Sequence, residues 1–313
     1  MKPNTNDRLT GSKLAHTYSI VARDPDTGEM GVAVQSHWFS VATLVSWAEA
    51  GVGVVATQAF INTSFGPRGL ALLKDGETAN GAVEKMVAAD DGRNFRQLAM
   101  IDAQGNVAAY TGQKCIPEAG HFVGENFSVQ ANLMLNDRVW PAMAKAFEKS
   151  QGPLAERMVA TLETAQAAGG DIRGKQSAAI VVVRGQATGN LWEDHLVDLR
   201  VDDHLEPLVE LKRLLTVFHA YKYMNAGDEC LETNDVEGAL ANYRTAESLQ
   251  PDNLEMQFWH AVALANVGRL EEARPKFKEI FGQDRSWSVT TQRIAIVGLL
   301  RVTPAELEKI TRL

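Results

Sequence analysis

The stretch KLAHTYSIVARDPDTGEMGVAVQSH, residues 13–37, contains two short apolar segments on either side of a turn. TYSIVAR (17–23) and MGVAVQS (30–36) are rich in apolar and β-branched residues, and the DPDTGE between them contains Pro and Gly. This combination predicts a β-hairpin. Thr17, which heads the first strand, has two interpretations. It is either an ordinary strand residue or a nucleophile that uses its own α-amino group as the base once it is the first residue of the chain.

Outward from this hairpin, predicted strands come in runs and predicted helices come in pairs. The pattern predicts strands at 42–48, 52–59, 96–111 (a hairpin), 127–133, 177–184 and 196–203, and helices at 66–76, 78–90, 137–149 and 153–168. This is not the strict strand–helix alternation of a Rossmann fold or a TIM barrel. The predicted fold class is α+β, with antiparallel sheets covered by helix pairs, as in a four-layer αββα sandwich.

From about residue 206 the chain is predicted to be entirely helical, and it contains an internal repeat. Ala239 and Ala273 are 34 residues apart, and Tyr243 and Phe277 repeat the same offset, which is the period of tetratricopeptide repeats. The first unit carries most of that pattern, at Tyr223, Gly227, Ala239, Tyr243, Ala246 and Pro251. The second keeps Leu264, Ala273 and Phe277. We therefore predict a small all-α helical-repeat domain of two repeats and a capping helix.

Composition limits the classes of partner and the location. The 31 basic and 39 acidic residues give a net charge of −8, so neither nucleic acid nor a membrane is expected as a partner. Residues 1–16 lack the apolar region of a signal peptide and are predicted to be a flexible leader, and no later segment is apolar enough to span a bilayer. We expect a cytoplasmic protein. HLVDLRVDDH (195–204) lacks a clear metal-ligand arrangement, so we expect neither a metal ion nor another cofactor.

Several motifs together resemble one known family. TYSIVARDPDTGEMGVAV, GVGVVATQA, GPRGLALL, GGDIRGKQSAAIVVV and DLRVDDH occur in order and are similar to the DUF1028 family of bacterial and archaeal proteins. The resemblance covers about residues 17–218 and implies the αββα sandwich of the N-terminal-nucleophile (Ntn) hydrolase superfamily. It also implies that Thr17 attacks an amide carbonyl, which requires removal of residues 1–16, because Thr17 has no free amine while it is bonded to His16. The helical domain, 219–313, lies outside the resemblance.

Other polar residues at strand ends and in one loop are candidates for the rest of the site. Asn132, a carboxamide among apolar neighbours, is a candidate donor to an oxyanion. Asp171 and Arg173 either hold a charged group of the substrate or pair with each other to fix their loop. The candidate catalytic residues are Thr17, Asn132 and Gln35, and the candidate substrate-binding residues are Ser36, Thr57, Gln58, Asp171 and Arg173. Each amide also has a structural interpretation, as a buried group that satisfies the backbone.

The function predicted from these features is amide-bond hydrolysis or acyl transfer by an Ntn-type enzyme acting on a small-molecule or peptide amide. Two alternatives remain open. One is a non-catalytic Ntn-fold scaffold or assembly protein that acts through its tetratricopeptide tail, and the other is a hydrolase with an internal nucleophile such as Ser36. We expect the tail to contact a protein partner or a second copy of the chain.

Overall fold

In a computed structural model of the chain, residues 13–313 are described. The contacts divide the chain into two units, the first ending at Lys212 and the second running from Arg213 to Leu313. The boundary expected from the sequence, between 218 and 219, lies six residues further along, inside one long helix. Each unit is described by itself.

Unit 1 contains all the strands within the described residues. They are β1 (Lys13–Ala15), β2 (Thr17–Arg23), β3 (Met30–Ser36), β4 (Ser46–Glu49), β5 (Gly53–Ile61), β6 (Arg96–Asp102), β7 (Val107–Thr111), β8 (Gly120–Gly124), β9 (Phe127–Ala131), β10 (Ser177–Val183) and β11 (His195–Val201). The helices of this unit are α1 (Ala42–Val45), α2 (Phe65–Lys74), α3 (Ala79–Ala88), α4 (Val139–Lys149), α5 (Leu154–Ala167) and α6 (Leu191–Asp194).

The strands form two sheets in which every pairing is antiparallel. Sheet A has the order β1-β5-β6-β7, with β4 also paired to β5. Sheet B has the order β11-β10-β3-β2-β9-β8. The hairpin predicted over 17–36 is β2 and β3, in the register Thr17↔Ser36 to Arg23↔Met30. The prediction of antiparallel sheets is confirmed.

The two sheets face each other, and helices cover their outer faces. Residues that alternate along the strands, such as Val21, Val32 and Val54, form the apolar core between the sheets. On the outer face of sheet A, α2 and α3 pack on β5 and β6. On the outer face of sheet B, the rings of Phe147 in α4 and Phe127 in β9 lie 4.8 Å apart. Unit 1 is therefore a mixed structure in which two antiparallel sheets lie between helical layers.

Several short elements of unit 1 differ from the sequence prediction. Regular structure is already present before Thr17, because β1 pairs with β5 inside the predicted leader. Residues 42–45 form one helical turn instead of a strand, with Ala42, Leu44 and Val45 buried. β8 and α6 occupy segments for which the sequence predicted neither a strand nor a helix. These elements are short, and hydrophobic periodicity cannot classify so short a segment.

Beyond unit 1 the chain is helical, as predicted. The helices are α7 (Pro207–Glu232), α8 (Val236–Leu249), α9 (Leu254–Asn266), α10 (Leu270–Gln283), α11 (Ser286–Ile296) and α12 (Pro304–Thr311). In unit 2, Ala239 and Ala273 are both fully buried, as are Tyr243 and Phe277. The spacing of 34 residues therefore places similar side chains in similar core positions of α8 and α10. None of the helices in the described part of the chain combines the length and the apolar character needed to cross a membrane.

Candidate active site

A buried polar cluster lies between the two sheets at the end where β2 begins. Side chains alternate along a strand, so Thr17 and Ser19 face sheet A together with Val21, which belongs to the apolar core. Polar residues thus replace apolar ones at this end of the layer between the sheets. The members are fully buried and comprise Thr17, Ser19, Ser36, Gln58, Gln97, Ser128, Gln130 and Asn132.

Two glutamines of sheet A connect the cluster across the sheets. The Gln58 side chain accepts a hydrogen bond from Ser19 Oγ (2.6 Å) and donates from Nε2 to Gln97 Oε1 (2.7 Å) and to the Thr17 carbonyl (3.2 Å). Gln97 Oε1 also accepts from Asn132 Nδ2 (2.9 Å), and Gln97 Nε2 donates to the Ala131 carbonyl (2.9 Å). Because the buried amides satisfy one another and the backbone, the cluster fixes how the sheets are placed at this end.

The hydroxyl of Thr17 is fully buried in the chain as it stands. Its Oγ1 donates to the Ala15 carbonyl at 2.8 Å, and its own carbonyl accepts from the backbone N–H of Asn132 at 3.1 Å. Ala15 and His16, immediately before it, are 0% and 3% exposed. This hydroxyl is therefore closed off from solvent while the residues before it are in place.

The carbonyl of His16, on the other side of the peptide bond from Thr17, is held by two side-chain donors. Ser36 Oγ donates to this oxygen at 2.6 Å, and Arg173 Nη2 donates to it at 2.8 Å. A hydroxyl and a guanidinium that converge on one carbonyl oxygen favour negative charge there. The two donors polarise the bond that precedes Thr17.

Asp171 orients the arginine of this pair. The guanidinium of Arg173 binds its carboxylate in bidentate fashion, Nε to Oδ1 at 3.0 Å and Nη2 to Oδ2 at 2.7 Å. The Asp171 side chain is fully buried and also accepts from the backbone N–H groups of His37 (3.2 Å) and Arg173 (2.9 Å). Of the two roles expected for these residues, the structure shows mutual pairing, which leaves Nη2 directed at the His16 carbonyl.

The imidazole of His16 is enclosed beside the cluster. Its Nδ1 donates to Asn132 Oδ1 at 2.8 Å, and its ring meets the edge of Phe60 with centroids 5.8 Å apart. Burial lowers the pKa of His16 below 6.5; Arg173 lowers it further, whereas the Asn132 hydrogen bond and Asp171 raise it. The imidazole is therefore neutral at neutral pH.

The burial of His16 predicts that the folded state becomes less stable in acid. Because the pKa of His16 is lowered in the folded state, the unfolded chain binds the proton more readily. The contribution of the neutral His16 to the free energy of unfolding is therefore present in full above about pH 6.5 and declines as the pH falls below that value. Both chains compared carry Thr17→Ala, so that residue 16 stays bonded to residue 17. We expect the chain with His16 to lose stability relative to the chain with His16→Gln between about pH 7 and about pH 5. Thermal unfolding of both proteins, with an NMR titration of the His16 ring, measures it. An apparent pKa at or above 6.5 for this ring would contradict the burial argument.

Two predicted site residues lie away from the cluster. Gln35 pairs in register with Tyr18, whose hydroxyl bonds to Gln166 of α5 at 3.0 Å, so both face the helical layer. Both amide atoms of Gln35 are buried without a hydrogen-bond partner in the described part of the chain. Thr57 lies on the outer face of sheet A, opposite to Gln58, with its Oγ1 3.4 Å from the Asn62 carbonyl. The structure therefore does not bring Gln35 and Thr57 to Thr17, because adjacent strand residues point to opposite faces.

Five members of the network were not predicted from the sequence: His16, Ser19, Gln97, Ser128 and Gln130. A signal for some of them exists, since polar residues at 128, 130 and 132 alternate along one strand, as do those at 17 and 19. Alternation of this kind marks one face of a sheet. For Gln97, a single amide in an apolar strand, no local signal distinguishes a site residue from a structural one. Asn132, predicted as an oxyanion donor, directs its Nδ2 to Gln97 and to the Thr17 carbonyl, at 2.9 and 3.4 Å.

Comparison with known proteins places unit 1 in a family. The sequence profile of a family of unknown function, DUF1028, matches residues 17–211, more than half of the chain. The chain belongs to the DUF1028 family. The matched region of this DUF1028 protein begins at Thr17 itself, so β1 lies outside it. No curated protein matches the chain.

A solved structure of the same family resembles this DUF1028 chain. The crystal structure of protein SPO2555 from Silicibacter pomeroyi, which carries the DUF1028 label, is 32% identical with a TM-score of 0.58. The match covers 64% of this chain and 84% of that chain. A second DUF1028 protein therefore has a similar fold.

Proposed function

We propose that this protein is an Ntn-type hydrolase that cleaves an amide bond, or transfers an acyl group, with Thr17 as nucleophile after the His16–Thr17 bond is broken. The observation that supports this most directly is the pair of donors on the His16 carbonyl, Ser36 Oγ at 2.6 Å and Arg173 Nη2 at 2.8 Å. They act on the one peptide bond whose cleavage would give Thr17 a free amine.

The arrangement suits an intramolecular cleavage. Thr17 Oγ1 leaves its hydrogen bond to Ala15 and attacks the His16 carbonyl carbon, and the oxygen that gains negative charge is the one held by Ser36 and Arg173. The C–N bond then breaks, and the Thr17 nitrogen takes the proton that Oγ1 loses, while the acyl group moves to Oγ1 as an ester. Water hydrolyses the ester, which releases the His16 carboxylate and leaves Thr17 with a free hydroxyl and a free amine.

The same residues then serve turnover. A terminal amine has a pKa of about 7.7–8.0 in model compounds, so a large part of it is neutral near pH 7–8 and can accept the proton of Oγ1. The carbonyl oxygen of a substrate amide takes the place that the His16 oxygen occupies. Two antiparallel sheets between helical layers, together with the Ntn assignment implied by the sequence resemblance, support this proposal.

The internal-nucleophile alternative has less support from the contacts. Ser36 Oγ donates to the His16 carbonyl, and in the described part of the chain no carboxylate or imidazole is bonded to it. The neighbouring His37 directs Nδ1 toward the Lys175 carbonyl at 3.4 Å. Without a base, a serine hydroxyl is a weak nucleophile. Ser36 is better placed as a donor to the reacting carbonyl.

The test is the intact mass and the N-terminal sequence of the purified full-length chain, compared with Thr17→Ala and Thr17→Ser. We expect the wild type to lose its first sixteen residues and to begin at Thr17. Thr17→Ala should stay uncut, and Thr17→Ser, which keeps a hydroxyl, should still be cut. An uncut wild type, or a Thr17→Ala chain that is cut equally well, would overturn the proposal.

The main alternative, a non-catalytic scaffold, would give an uncut chain whose helical tail still contacts a partner. We propose partner contact for the tail in either case, and its resemblance to tetratricopeptide repeats is the support. Light scattering on the purified protein distinguishes self-association from a monomer. A monomer that retains no partner in a pull-down would remove this role.

A further inference from the structure

The segment before Thr17 is itself a strand, and it occupies a defined edge of sheet A. β1 pairs with β5 in the register Lys13↔Ile61, Leu14↔Phe60 and Ala15↔Ala59. β4 covers the earlier half of the same edge, from Gly53 to Ala56, and β6 lies on the other side of β5. In the described part of the chain, β1 is therefore the only occupant of the edge at 59–61.

Breaking the His16–Thr17 bond would allow β1 to leave the edge of β5. β1 would then be held only by non-covalent contacts. Its departure would leave Ala59 and Ile61 without their partner strand, whereas the Phe60 carbonyl keeps the hydrogen bond from Arg96 Nη1 at 2.6 Å. An unpaired strand edge is a template for another extended chain. Ala59, at this edge, has a left-handed backbone with φ of 69°, a strained conformation of the kind found at ligand sites.

We propose, resting on the function proposed above, that the substrate is a peptide that takes the place of residues 13–16. It adds as an antiparallel strand to β5 at 59–61, and its reacting carbonyl lies between Ser36 Oγ and Arg173 Nη2. The uncut segment already shows this arrangement, because its last carbonyl receives both donors while its strand lies on β5.

Two neighbouring sites on this path define which peptide fits. Ala15 is fully buried in the apolar core between the sheets, with residues such as Val41 and Val45 in the same cluster, so the position before the reacting residue accepts only a small side chain. The reacting residue occupies the site of His16, between the Phe60 ring and Asn132 Oδ1. This site favours a planar side chain that donates a hydrogen bond.

A small non-peptide amide would use the site differently. It would need only the donors on the carbonyl and would gain nothing from the β5 edge. Binding that involves backbone pairing at 59–61 would therefore distinguish a peptide substrate from a small amide.

The experiment uses the chain from residue 17 onward with Thr17→Ala, because the family match also begins there and the absence of residues 1–16 leaves both the β5 edge at 59–61 and the site of His16 free. The probes are the peptides Lys-Leu-Ala-His and Lys-Leu-Phe-His, with binding measured by calorimetry and by hydrogen exchange of β5. We expect Lys-Leu-Ala-His to bind and to slow exchange at 59–61. Lys-Leu-Phe-His, with a bulky residue in the Ala15 site, should bind about tenfold more weakly or worse.

Near-ultraviolet circular dichroism checks that this shortened chain is folded. If it is not, the wild-type chain that has lost residues 1–16, separated from the released segment, takes its place. A folded chain that binds neither peptide, or binds both equally, would overturn the inference. Its failure is distinguishable from failure of the hydrolase proposal, because cleavage is read from the mass of the full-length wild type and peptide binding from the shortened chain.

Discussion

Ser36→Ala is expected to slow cleavage of the His16–Thr17 bond about 10²–10³-fold, the usual cost of removing one donor from a developing oxyanion. The reason is that Ser36 Oγ lies 2.6 Å from the His16 carbonyl oxygen and donates to it. Arg173 Nη2 would remain as the second donor, so the bond should still be cut slowly. The measurement is the rate at which the shortened chain appears during cell-free synthesis, followed by mass.

Ser177→Ala is the matched control for this variant. Ser177 is fully buried and pairs with Ser36 in register on the neighbouring strand, but its Oγ donates to the Trp38 carbonyl at 2.5 Å. The control should therefore cleave at close to the wild-type rate. Equal rates for Ser36→Ala and the wild type would mean that the hydroxyl does not assist the reaction. Complete loss of turnover in Ser36→Ala, with turnover retained in Thr17→Ala, would instead identify Ser36 as the nucleophile.

Gln97→Met is expected to destabilise unit 1 by about 2–4 kcal/mol, because it leaves buried polar groups without partners. Gln97 Oε1 accepts from Gln58 Nε2 at 2.7 Å and from Asn132 Nδ2 at 2.9 Å. Methionine has a similar length but offers neither a comparable acceptor nor a donor. Hydrogen exchange of peptides from β5 and β6, measured by mass spectrometry, should accelerate about a hundredfold if the loss is near 3 kcal/mol.

Gln104→Met controls for the change of residue type. Gln104 lies in the exposed turn between β6 and β7, and a surface substitution of this kind usually changes stability by less than about 0.5 kcal/mol. The two variants should therefore differ clearly in β5 and β6. If they accelerate exchange equally, the buried amides contribute nothing specific to the contact between the sheets.

The polar cluster combines a structural role with the proposed chemistry. Asn132 donates to Gln97 through Nδ2 and accepts from His16 Nδ1 through Oδ1. It therefore connects the glutamines that hydrogen-bond across the sheets to His16, the residue whose carbonyl would be attacked in the proposed reaction. A fully bonded buried network also resists displacement. The His16 carbonyl is thereby held between the two sheets by side chains of this network.

Local patterns in the sequence were sufficient for most elements of both units. The hairpin at 17–36 and the helix pairs 137–149 and 153–168 follow from periodicity and turn residues that lie within each segment. The helical tail with its offset of 34 residues is also visible locally. Short elements such as β1 and α1 were not predicted, because three or four residues carry no measurable period.

The sequence by itself also indicated Thr17, Ser36, Asp171 and Arg173 as candidates, but it did not determine which polar groups meet. Gln35 and Ser36 are adjacent and similar in environment, yet only Ser36 faces Thr17, because the register of β2 and β3 assigns them to opposite faces. His16 and Asn132 are 116 residues apart and bond only because β2 and β9 are neighbours. The pairing of distant strands decided these contacts, and strand pairing depends on the packing of the whole unit rather than on any local signal.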